Sequence, residues 1–478
     1  MLAQFIESFK KAISMEMDAM RTRMGPFEVP LGPGDSSEAH EDEGKQAYGF
    51  RVLQPNEKLT LGAECSLMTG TGREHLVEIS SLDKDQIVLS CSQEIDVDAG
   101  PHVLVVYPWF LYEKLQVALQ SLVDSDTFHT DSALELFGKL PSREIVGGAS
   151  ISIDGTQLND SQRQAILLSC ERTPAFVWGP PGTGKTTTLG HIVTALLQNG
   201  KRILVTSTTN AAIDQALAKL VELELGREAL ARGDVVSLGQ AQEETHGASV
   251  REVVERLNTQ LGGHLLRLEE RQLESRQLMA RCEELLARLA SAAPSTQLGL
   301  FGDTPASGLD ERNLEGIFSP SRVRRLITQE IHEQTAILSR RRNRLQQCRD
   351  LCRQKARSLR AELVKREAGA VDGARVVFAT MTNVYISSLM APQRFDVVIV
   401  EEAGMAVLPS LFYCAALARS QVIMVGDPQQ LPSIVQSTGP YVQRAMARSI
   451  FAVTVPQPHD NELVVMLRYA VPHESAHR

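Results

Sequence analysis

The segment that decides the fold runs from Ala175 to Thr187 and reads AFVWGPPGTGKTT. Its first four residues predict a buried strand, and a helical pattern begins directly after the glycine-rich turn. A phosphate-binding loop requires this strand–turn–helix context. The backbone N–H groups of such a turn and the positive end of the helix both attract an anion. The segment therefore predicts a site for nucleotide phosphates, with a chance polar turn as the alternative.

Individual loop residues have expected tasks. Gly182 and Gly184 let the backbone turn tightly toward the β-phosphate. Lys185 reaches the β- and γ-phosphates, and the Thr186 hydroxyl binds Mg²⁺. The predicted nucleotide contacts of the loop are Gly179, Pro180, Pro181, Gly182, Thr183, Gly184, Lys185, Thr186 and Thr187.

Apolar runs alternate with helical patterns on both sides of the loop, as in RILVTS, ARVVFAT, FDVVIVEEA and SQVIMVGD. Such runs are typical of parallel strands that are buried on both faces, so we predict an α/β fold of the P-loop NTPase type. Glu401 and Glu402 end one run, where one carboxylate can hold the metal and the other can take a proton from water; a solvent-exposed acidic strand end is the alternative. Gln430 follows the next run, where a neutral amide can sense a γ-phosphate; a plain polar turn is the alternative.

Composition shifts divide the rest of the chain. Short β-favouring runs predict a small barrel, and a long stretch almost free of Pro and Gly predicts an inserted helical hairpin. The predicted order is an amphipathic helix (1–24), an acidic linker (25–47), a small β-barrel (48–106), a stalk helix and linker (107–145), the ATPase domain in two parts (146–242 and 370–467), and between those parts the hairpin (243–369) with a flexible tip (291–320).

The hairpin has a seven-residue repeat in both arms, which predicts an antiparallel coiled coil on the order of 60 Å long. Residues 321–366 hold fourteen Lys or Arg against four Asp or Glu. This arm is either a solvated strut or a basic surface for nucleic-acid phosphates. The repeat positions are Val254, Leu261, Leu268, Cys282 and Leu289, with Ser275 as the polar exception, and Ile331, Leu338, Leu345, Cys352 and Leu359.

Composition excludes several classes of protein. The formal charge of −9 gives no overall basic field, so any nucleic-acid partner must meet a local patch. The chain has no run of eighteen apolar residues and no secretory pattern at its start, which predicts no membrane partner. Seven cysteines without a C-x-x-C pair predict reduced thiols, no metal–cysteine cluster and a cytoplasmic location.

Six segments in their chain order resemble the motifs of a superfamily 1 helicase. The similarity is greatest to the 5′-to-3′ branch typified by the nonsense-mediated-decay RNA helicase and the helicase half of the Okazaki-fragment nuclease. It covers the first RecA-like domain, about residues 150–240 and 370–455, and the β-rich segment and helix before it are similar in kind to the barrel and stalk of that branch. The segments are LNDSQRQA (158–165), GPPGTGKT (179–186), VTSTTNAAIDQAL (205–217), VVFAT (376–380), VVIVEEAGMA (397–406) and VGDPQQLP (425–432).

The resemblance implies ATP and Mg²⁺ as cofactors and single-stranded nucleic acid as a partner. Gln162 would read adenine, Glu402 would activate water, and Gln430 would contact the γ-phosphate. Lys185 and Thr186 would hold the phosphates and Mg²⁺, with Glu401 as the second metal residue. Short hydroxyl and amide side chains suit contacts to a strand backbone without reading bases. Those implied for the strand are Thr208, Thr209, Asn210 and Thr380.

Three departures from the family pattern lead us to expect slow hydrolysis. Glu401 stands where motif II usually begins with Asp, and Met405 stands where the family usually has Gln. The family's next motif, Gln-Tyr-Arg-Met-x-Pro, is absent from the final residues RYAVPHESAHR (468–478). That tail can be back-translated with permitted codons so that a one-base shift yields Gly-Met-Gln-Tyr-Arg-Met-Asn-Pro-Arg-Ile. We therefore expect an out-of-frame tail on a helicase truncated after its first motor domain.

The predicted hairpin tip contains a short motif that suggests a protein partner. Gln297, Leu298, Leu300 and Phe301 lie in QLGLF, which resembles the pentapeptide that binds bacterial sliding clamps. Apolar anchors in a flexible segment can fill a preformed pocket, although short motifs also recur by chance.

The sequence therefore predicts an ATP-dependent translocase or helicase, with DNA favoured over RNA, whose isolated chain hydrolyses ATP weakly. The alternative from another class is an ATP-binding module that binds nucleic acid or a clamp without helicase activity. A clamp-loader ATPase fits the motif order less well.

Overall fold

The computed structural model divides the protein into two compact units, Met1–Leu257 with Lys365–Arg478 and Asn258–Val364. No helix in the described part of the chain has the length and apolar character needed to cross a membrane. The structure describes residues 1–35, 46–54, 59, 62–83, 86–93, 95, 101–145, 158–238, 248–257, 259–292, 320–458 and 461–469.

A closed six-stranded antiparallel barrel lies near the N-terminus, as the short β-favouring runs predict. Every second side chain points inward, among them Leu67, Ile79 and Leu89, which are fully buried. Around the barrel the strands follow the order β1-β2-β5-β4-β3-β6. The elements of this region are α1 (Leu2–Arg23), β1 (Phe27–Asp35), β2 (Gln46–Val52), β3 (Glu64–Met68), β4 (Glu74–Asp83), β5 (Gln86–Cys91) and β6 (His102–Val106).

The barrel begins earlier than the sequence predicts. The predicted acidic linker, 25–47, contains β1 and the start of β2, and β1 pairs antiparallel with both β2 and β6. Val29 and Leu31 fill the barrel interior, while Pro30 and Gly32 had suggested a linker. Alternation of apolar residues therefore outweighs the Pro and Gly content here. The acidic run itself, residues 36–45, lies outside the described residues.

Two helices follow the barrel, α2 (Phe110–Asp124) and α3 (Asp131–Leu136). Helix α1 packs against α2, and both contribute to the core on one side of the parallel sheet. Four phenylalanines meet edge to face in this core, with ring centroids 4.8–5.8 Å apart. They are Phe5, Phe9, Phe137 and Phe412.

The first part of the nucleotide-binding domain alternates strands with helices, as predicted. Asn159 caps α4 in a capping box with Gln162, and α5 begins directly after the phosphate loop. The elements are β7 (Arg143–Glu144), α4 (Asp160–Glu171), β8 (Arg172–Thr173), β9 (Ala175–Trp178), α5 (Lys185–Gln198), β10 (Ile203–Ser207), α6 (Asn210–Glu222), α7 (Glu224–Arg232) and β11 (Val235–Leu238).

Long helices follow at the predicted insertion: α8 (Val250–Leu257), α9 (Thr259–Ala292) and α10 (Pro320–Gly373). Less exposed side chains recur at intervals of three and four residues in both long helices. In α9 these are Leu268, Gln272, Ser275, Met279, Cys282, Leu286 and Leu289, and in α10 they include Ile331, Thr335, Leu338, Arg342, Leu345, Arg349, Cys352, Ala356 and Leu359.

The chain then returns to complete a seven-stranded sheet, in the order β11-β12-β10-β13-β14-β9-β15, whose neighbouring strands are all parallel. Apolar cores cover both faces, so the parallel α/β prediction is confirmed. The carboxyl ends of β9, β10, β13 and β14 meet at one edge, where α/β proteins bind ligands. The remaining elements are β12 (Val376–Thr380), α11 (Met381–Ile386), β13 (Phe395–Val400), α12 (Leu408–Ala415), β14 (Ala418–Gly426), α13 (Pro440–Val442) with a π-helical turn (Gln443–Ala447), α14 (Ile450–Thr454) and β15 (Val464–Met466).

Candidate nucleotide and nucleic-acid site

The phosphate loop connects β9 to α5 at the carboxyl edge of the sheet. Gly182 and Gly184 have φ angles of +82° and +79°, a region that disfavours residues with a Cβ. A Cβ at Gly179 would lie 2.4 Å from Thr183 Oγ1, so the loop also needs glycine for close packing. The loop leaves the N-terminus of the fourteen-residue helix α5 facing outward, which suits a phosphate.

Lys185 is held inside this loop. Its Nζ donates hydrogen bonds to the carbonyl oxygens of Gly179 at 2.7 Å and Pro180 at 3.2 Å. Burial lowers the pKa of Lys185, and nearby carboxylates, foremost that of Asp427, oppose the shift. A phosphate group would offer the ammonium a charged acceptor in place of neutral carbonyls.

The Thr186 hydroxyl faces a buried carboxylate. Thr186 Oγ1 donates to Glu401 Oε1 at 3.0 Å, and Glu401 is only 5% exposed. Burial raises the pKa of Glu401 to about 7, although the hydrogen bond from Thr186 lowers it. Among the residues that the structure describes, buried Glu401 Oε2 has no hydrogen-bond partner, which leaves an oxygen in need of a proton or a cation.

These two residues fit a hard divalent cation such as Mg²⁺. The buried, unpartnered Glu401 Oε2 and the Thr186 hydroxyl are oxygen donors of the type that Mg²⁺ prefers. Within the described ranges, no group of three or more His, Cys, Asp or Glu side chains could hold a metal. The ion would therefore complete its shell with phosphate oxygens and water, as Mg²⁺ at nucleotide sites usually does.

Glu402 points away from its neighbour because its backbone is left-handed, with φ +54°. The adjacent strands fix this turn: Glu401 N–H donates to Thr206 O on β10, and Ala403 N–H donates to Val425 O on β14. The Glu402 carboxylate reaches the end of β10. Its Oε2 accepts hydrogen bonds from Ser207, Thr208 and Thr209 at 3.3, 3.2 and 3.4 Å.

The segment after β14 lies beside the phosphate loop, since Gly179 N–H donates to Gly426 O at 3.1 Å. Asp427 Oδ1 accepts from Trp178 Nε1 and from Gln429 N–H, which fixes the turn. Gln430 follows on this turn and its side chain is exposed. The turn thus places Gln430 at the same edge of the sheet as Lys185. The strand before the turn, β14, pairs with β9, which leads into the phosphate loop.

Gln162, implied by the resemblance to read adenine, is already bonded on both sides of its amide. Its Oε1 accepts from Asn159 N–H at 3.0 Å, and its Nε2 donates to Thr183 O at 3.2 Å. A Cβ at Gly184 would meet this Nε2 at 2.6 Å. Gln162 therefore links α4 to the phosphate loop.

The implied strand contacts gather at the ends of β10 and β12. Asn210 begins α6 and is exposed, next to the exposed Thr209. Thr380 is paired with Ser207 in the parallel register, but it is only 7% exposed. Its hydroxyl accepts from Asn383 N–H as the N-cap of α11. Thr380 thus has a structural task that the sequence pattern did not indicate.

Sequence reasoning missed three further contacts at this edge. Ser207 bonds Glu402 although only its two neighbours were singled out. Trp178 holds Asp427 through its indole N–H. Tyr469, in the segment predicted to be out of frame, donates its hydroxyl to Pro181 O at 3.2 Å. Each contact joins strand ends that are far apart in sequence, so no local pattern signals it. Residues 470–478 of the tail, and the clamp-like residues Gln297, Leu298, Leu300 and Phe301, lie outside the described residues.

Comparison with known proteins finds relatives that are named as helicases or as a DNA-binding protein. DNA polymerase alpha-associated DNA helicase A of Schizosaccharomyces pombe is 28% identical over 287 residues, which cover 60% of this chain and 34% of that protein. The rat DNA-binding protein SMUBP-2 is 25% identical over 336 residues, covering 67% and 26%. The Arabidopsis DNA replication ATP-dependent helicase/nuclease JHS1 is 52% identical over 64 residues, covering 13% and 5%.

The matched part of this chain thus spans about a third or less of the length of these relatives. A family profile described as AAA domain matches residues 157–438, which include the phosphate loop, both carboxylates and the turn after β14. The family resemblance in the sequence motifs is therefore confirmed: the chain belongs to this AAA-domain family, AAA_11, and is related to the first motor domain of superfamily 1 helicases.

Proposed function

We propose that the protein is an ATP-dependent translocase or helicase that acts on single-stranded DNA in the 5′-to-3′ direction. The order of the motifs at one sheet edge supports ATP hydrolysis coupled to a strand. DNA is favoured because the names of its relatives include DNA helicase A and a DNA-binding protein. The polarity follows from the branch that the motifs resemble.

The proposal depends on one observation: two adjacent carboxylates contact two different segments of the chain. Glu401 faces Thr186 on the phosphate loop, whereas Glu402 faces Thr208 and Thr209 at the end of β10. In such a hydrolase one carboxylate would hold the metal, and the second would take a proton from the attacking water. The left-handed turn at Glu402 separates the two, and such strain is concentrated at functional sites.

Each residue of the site would have a separate role in ATP hydrolysis. Lys185 would leave its loop carbonyls and bind the β- and γ-phosphates, while Thr186 and Glu401 would hold Mg²⁺. Mg²⁺, when bound, bridges phosphate oxygens and neutralises their charge. Glu402 would accept the proton of the attacking water, and Gln430 would contact the γ-phosphate without adding charge. Gln162 would have to exchange its bond to Thr183 O for one to adenine.

Thr208, Thr209 and Asn210 would contact the strand backbone through hydroxyl and amide groups. Thr208 is half-buried, whereas the other two are exposed at the start of α6. Such contacts tolerate any base sequence. The Thr380 hydroxyl caps α11. It would add a strand contact only if it also donated a hydrogen bond to a phosphate.

We further propose that α9 and α10 form an antiparallel coiled coil whose basic side faces nucleic acid. The intervals of three and four between less exposed residues support the coil. Arg271 on α9 also lies close enough to Cys352 on α10 to lower its pKa, against the raising effect of burial. The clamp-like residues of the tip would bind a bacterial sliding clamp. All seven cysteines are free thiols, which is consistent with a cytoplasmic protein.

ATP binding and turnover, measured with and without single-stranded DNA or RNA of the same length, test the proposal. We expect Mg²⁺-dependent ATP binding and a slow turnover that rises more with DNA than with RNA. ATP binding without any turnover would favour the alternative, a nucleotide-regulated binding module. Equal stimulation by both nucleic acids would remove the preference for DNA.

A further inference from the structure

Three hydroxyl groups share one oxygen of Glu402. Ser207 Oγ, Thr208 Oγ1 and Thr209 Oγ1 all donate to Oε2, at distances of 3.2–3.4 Å. Each of these contacts is longer than the typical O–H···O hydrogen bond of about 2.5–3.0 Å, but the three act on the same oxygen. Together they hold the carboxylate against the end of β10.

The three donors differ in their access to solvent. Ser207 is fully buried as the last residue of β10, Thr208 is half-buried, and Thr209 is exposed. Ser207 can therefore hold Glu402 but cannot reach a strand bound at the surface. Thr208 and Thr209 can do either, because a hydroxyl proton can rotate between two acceptors.

We propose that Ser207, Thr208 and Thr209 form a hydroxyl latch that keeps Glu402 from acting on water until a strand phosphate draws the two outer hydroxyls away. The inference rests on the proposed function, in which Glu402 activates water and the strand lies over Thr208 and Thr209. In this proposal the three residues are positioning residues for hydrolysis. Strand binding then changes ATP hydrolysis directly, by freeing the Glu402 carboxylate.

Competition between two anionic acceptors drives the switch. A phosphate oxygen at Thr208 and Thr209 accepts hydrogen bonds from their hydroxyl groups, so Glu402 loses two of its three donors. The coupling must be reciprocal: whatever releases Glu402 on strand binding also tightens strand binding when Glu402 is removed.

The first test measures ATP turnover of the full chain carrying Ser207→Ala, with and without a single-stranded oligonucleotide. Removal of one hydrogen bond from the latch corresponds to about a threefold to tenfold change. We expect basal turnover to rise by that factor, strand affinity to rise by no more than the same factor because the coupling is reciprocal, and the ratio of stimulated to basal turnover to fall. Ser237→Ala, which removes a buried hydroxyl from β11 of the same sheet, is the control. Unchanged or lower basal turnover in Ser207→Ala would overturn the latch.

The second test needs no turnover. Glu402→Gln and Glu402→Ala remove the same charge, but only the alanine also removes the acceptor. We expect Glu402→Ala to bind single-stranded DNA about threefold to tenfold more tightly than Glu402→Gln. In a Thr208→Val background this difference should shrink, and in a Thr208→Ser background it should persist. Equal affinities of the two Glu402 variants would contradict the latch.

The two tests separate the latch from the function on which it rests. If turnover survives Glu402→Gln undiminished, Glu402 is not the residue that activates water and the proposed function is wrong at that step. If turnover is lost in Glu402→Gln while Ser207→Ala behaves as the parent protein, the role of Glu402 in hydrolysis is supported and the hydroxyl latch is wrong.

Discussion

The carboxyl edge of the parallel sheet and the long helices α9 and α10 both contain many charged residues, but in opposite settings. At the sheet edge, Glu401 is buried and meets a defined partner at 3.0 Å. On α10, Arg340 and Arg341 are exposed. Charges interact strongly when they are removed from water and weakly at the surface. The edge can therefore hold specific chemistry, whereas the arm offers long-range attraction that salt screens.

The largest effect should come from the edge. Lys185→Ala removes the ammonium that would bind two phosphates, and hydrogen bonds to charged groups contribute about 1.5–3 kcal/mol each. We expect ATP affinity, measured by fluorescent-nucleotide titration, to fall on the order of 100-fold. Strand affinity without nucleotide should stay the same. If the Lys185→Ala chain binds ATP as tightly as its parent, Lys185 of the phosphate loop does not contribute to ATP binding.

A smaller effect is expected at the predicted tip between the arms. A peptide spanning Thr296 to Gly302 should bind a bacterial sliding clamp, and Leu300→Ala with Phe301→Ala should weaken it by about 2 kcal/mol or more, because buried apolar anchors dominate such contacts. Calorimetry with the purified clamp measures this. A peptide with residues 297–301 in scrambled order is the control. Equal affinity of parent and double variant would make the tip a plain linker.

The arm should change the salt dependence of strand binding. Neutralising Arg340, Arg341 and Arg342 should reduce the slope of log affinity against log salt by up to about one unit for each phosphate that the arm no longer neutralises. ATP affinity should not change, because these residues lie outside the nucleotide-binding unit. Fluorescence anisotropy across a salt series measures the slope. A parental slope in the triple variant would assign strand binding to the other unit alone.

The smallest effect concerns Thr380. Its hydroxyl caps α11, so Thr380→Val should lower the free energy of unfolding by about 1 kcal/mol, as removal of an N-cap usually does. Thr380→Ser keeps the cap and should be close to the parent in chemical denaturation. If Thr380→Val instead weakens strand binding at unchanged stability, the residue belongs to the strand path.

Most of the fold could be predicted because its signals are local. The phosphate loop follows a four-residue apolar strand and precedes a helix within one short segment, so the sequence alone is enough to predict the strand, the turn and the helix that contain Gly182 to Thr186. The barrel could also be predicted, from its short β-favouring runs. Its first strand was missed because Pro30 and Gly32 resemble a linker, and only pairing with β2 and β6 reveals Val29 as an interior residue.

The site itself needed contacts across the sheet. Glu401 and Glu402 are adjacent in sequence, and nothing local shows that Glu402 is left-handed. That conformation depends on hydrogen bonds from β10 and β14 on either side. The bond from Ser207 to Glu402 likewise joins residues 195 positions apart. Such non-local geometry decides which carboxylate faces the phosphate loop and which faces the end of β10.

ATP turnover of the parent chain and of Glu402→Gln, each with and without single-stranded DNA, tests the central claim most directly. General bases usually contribute about 10²- to 10⁴-fold to a rate. The account predicts a slow basal rate that DNA increases, and a loss of that order in Glu402→Gln with ATP affinity unchanged. Turnover that persists in Glu402→Gln, or that DNA leaves unaltered, would contradict a strand-coupled hydrolase at this sheet edge.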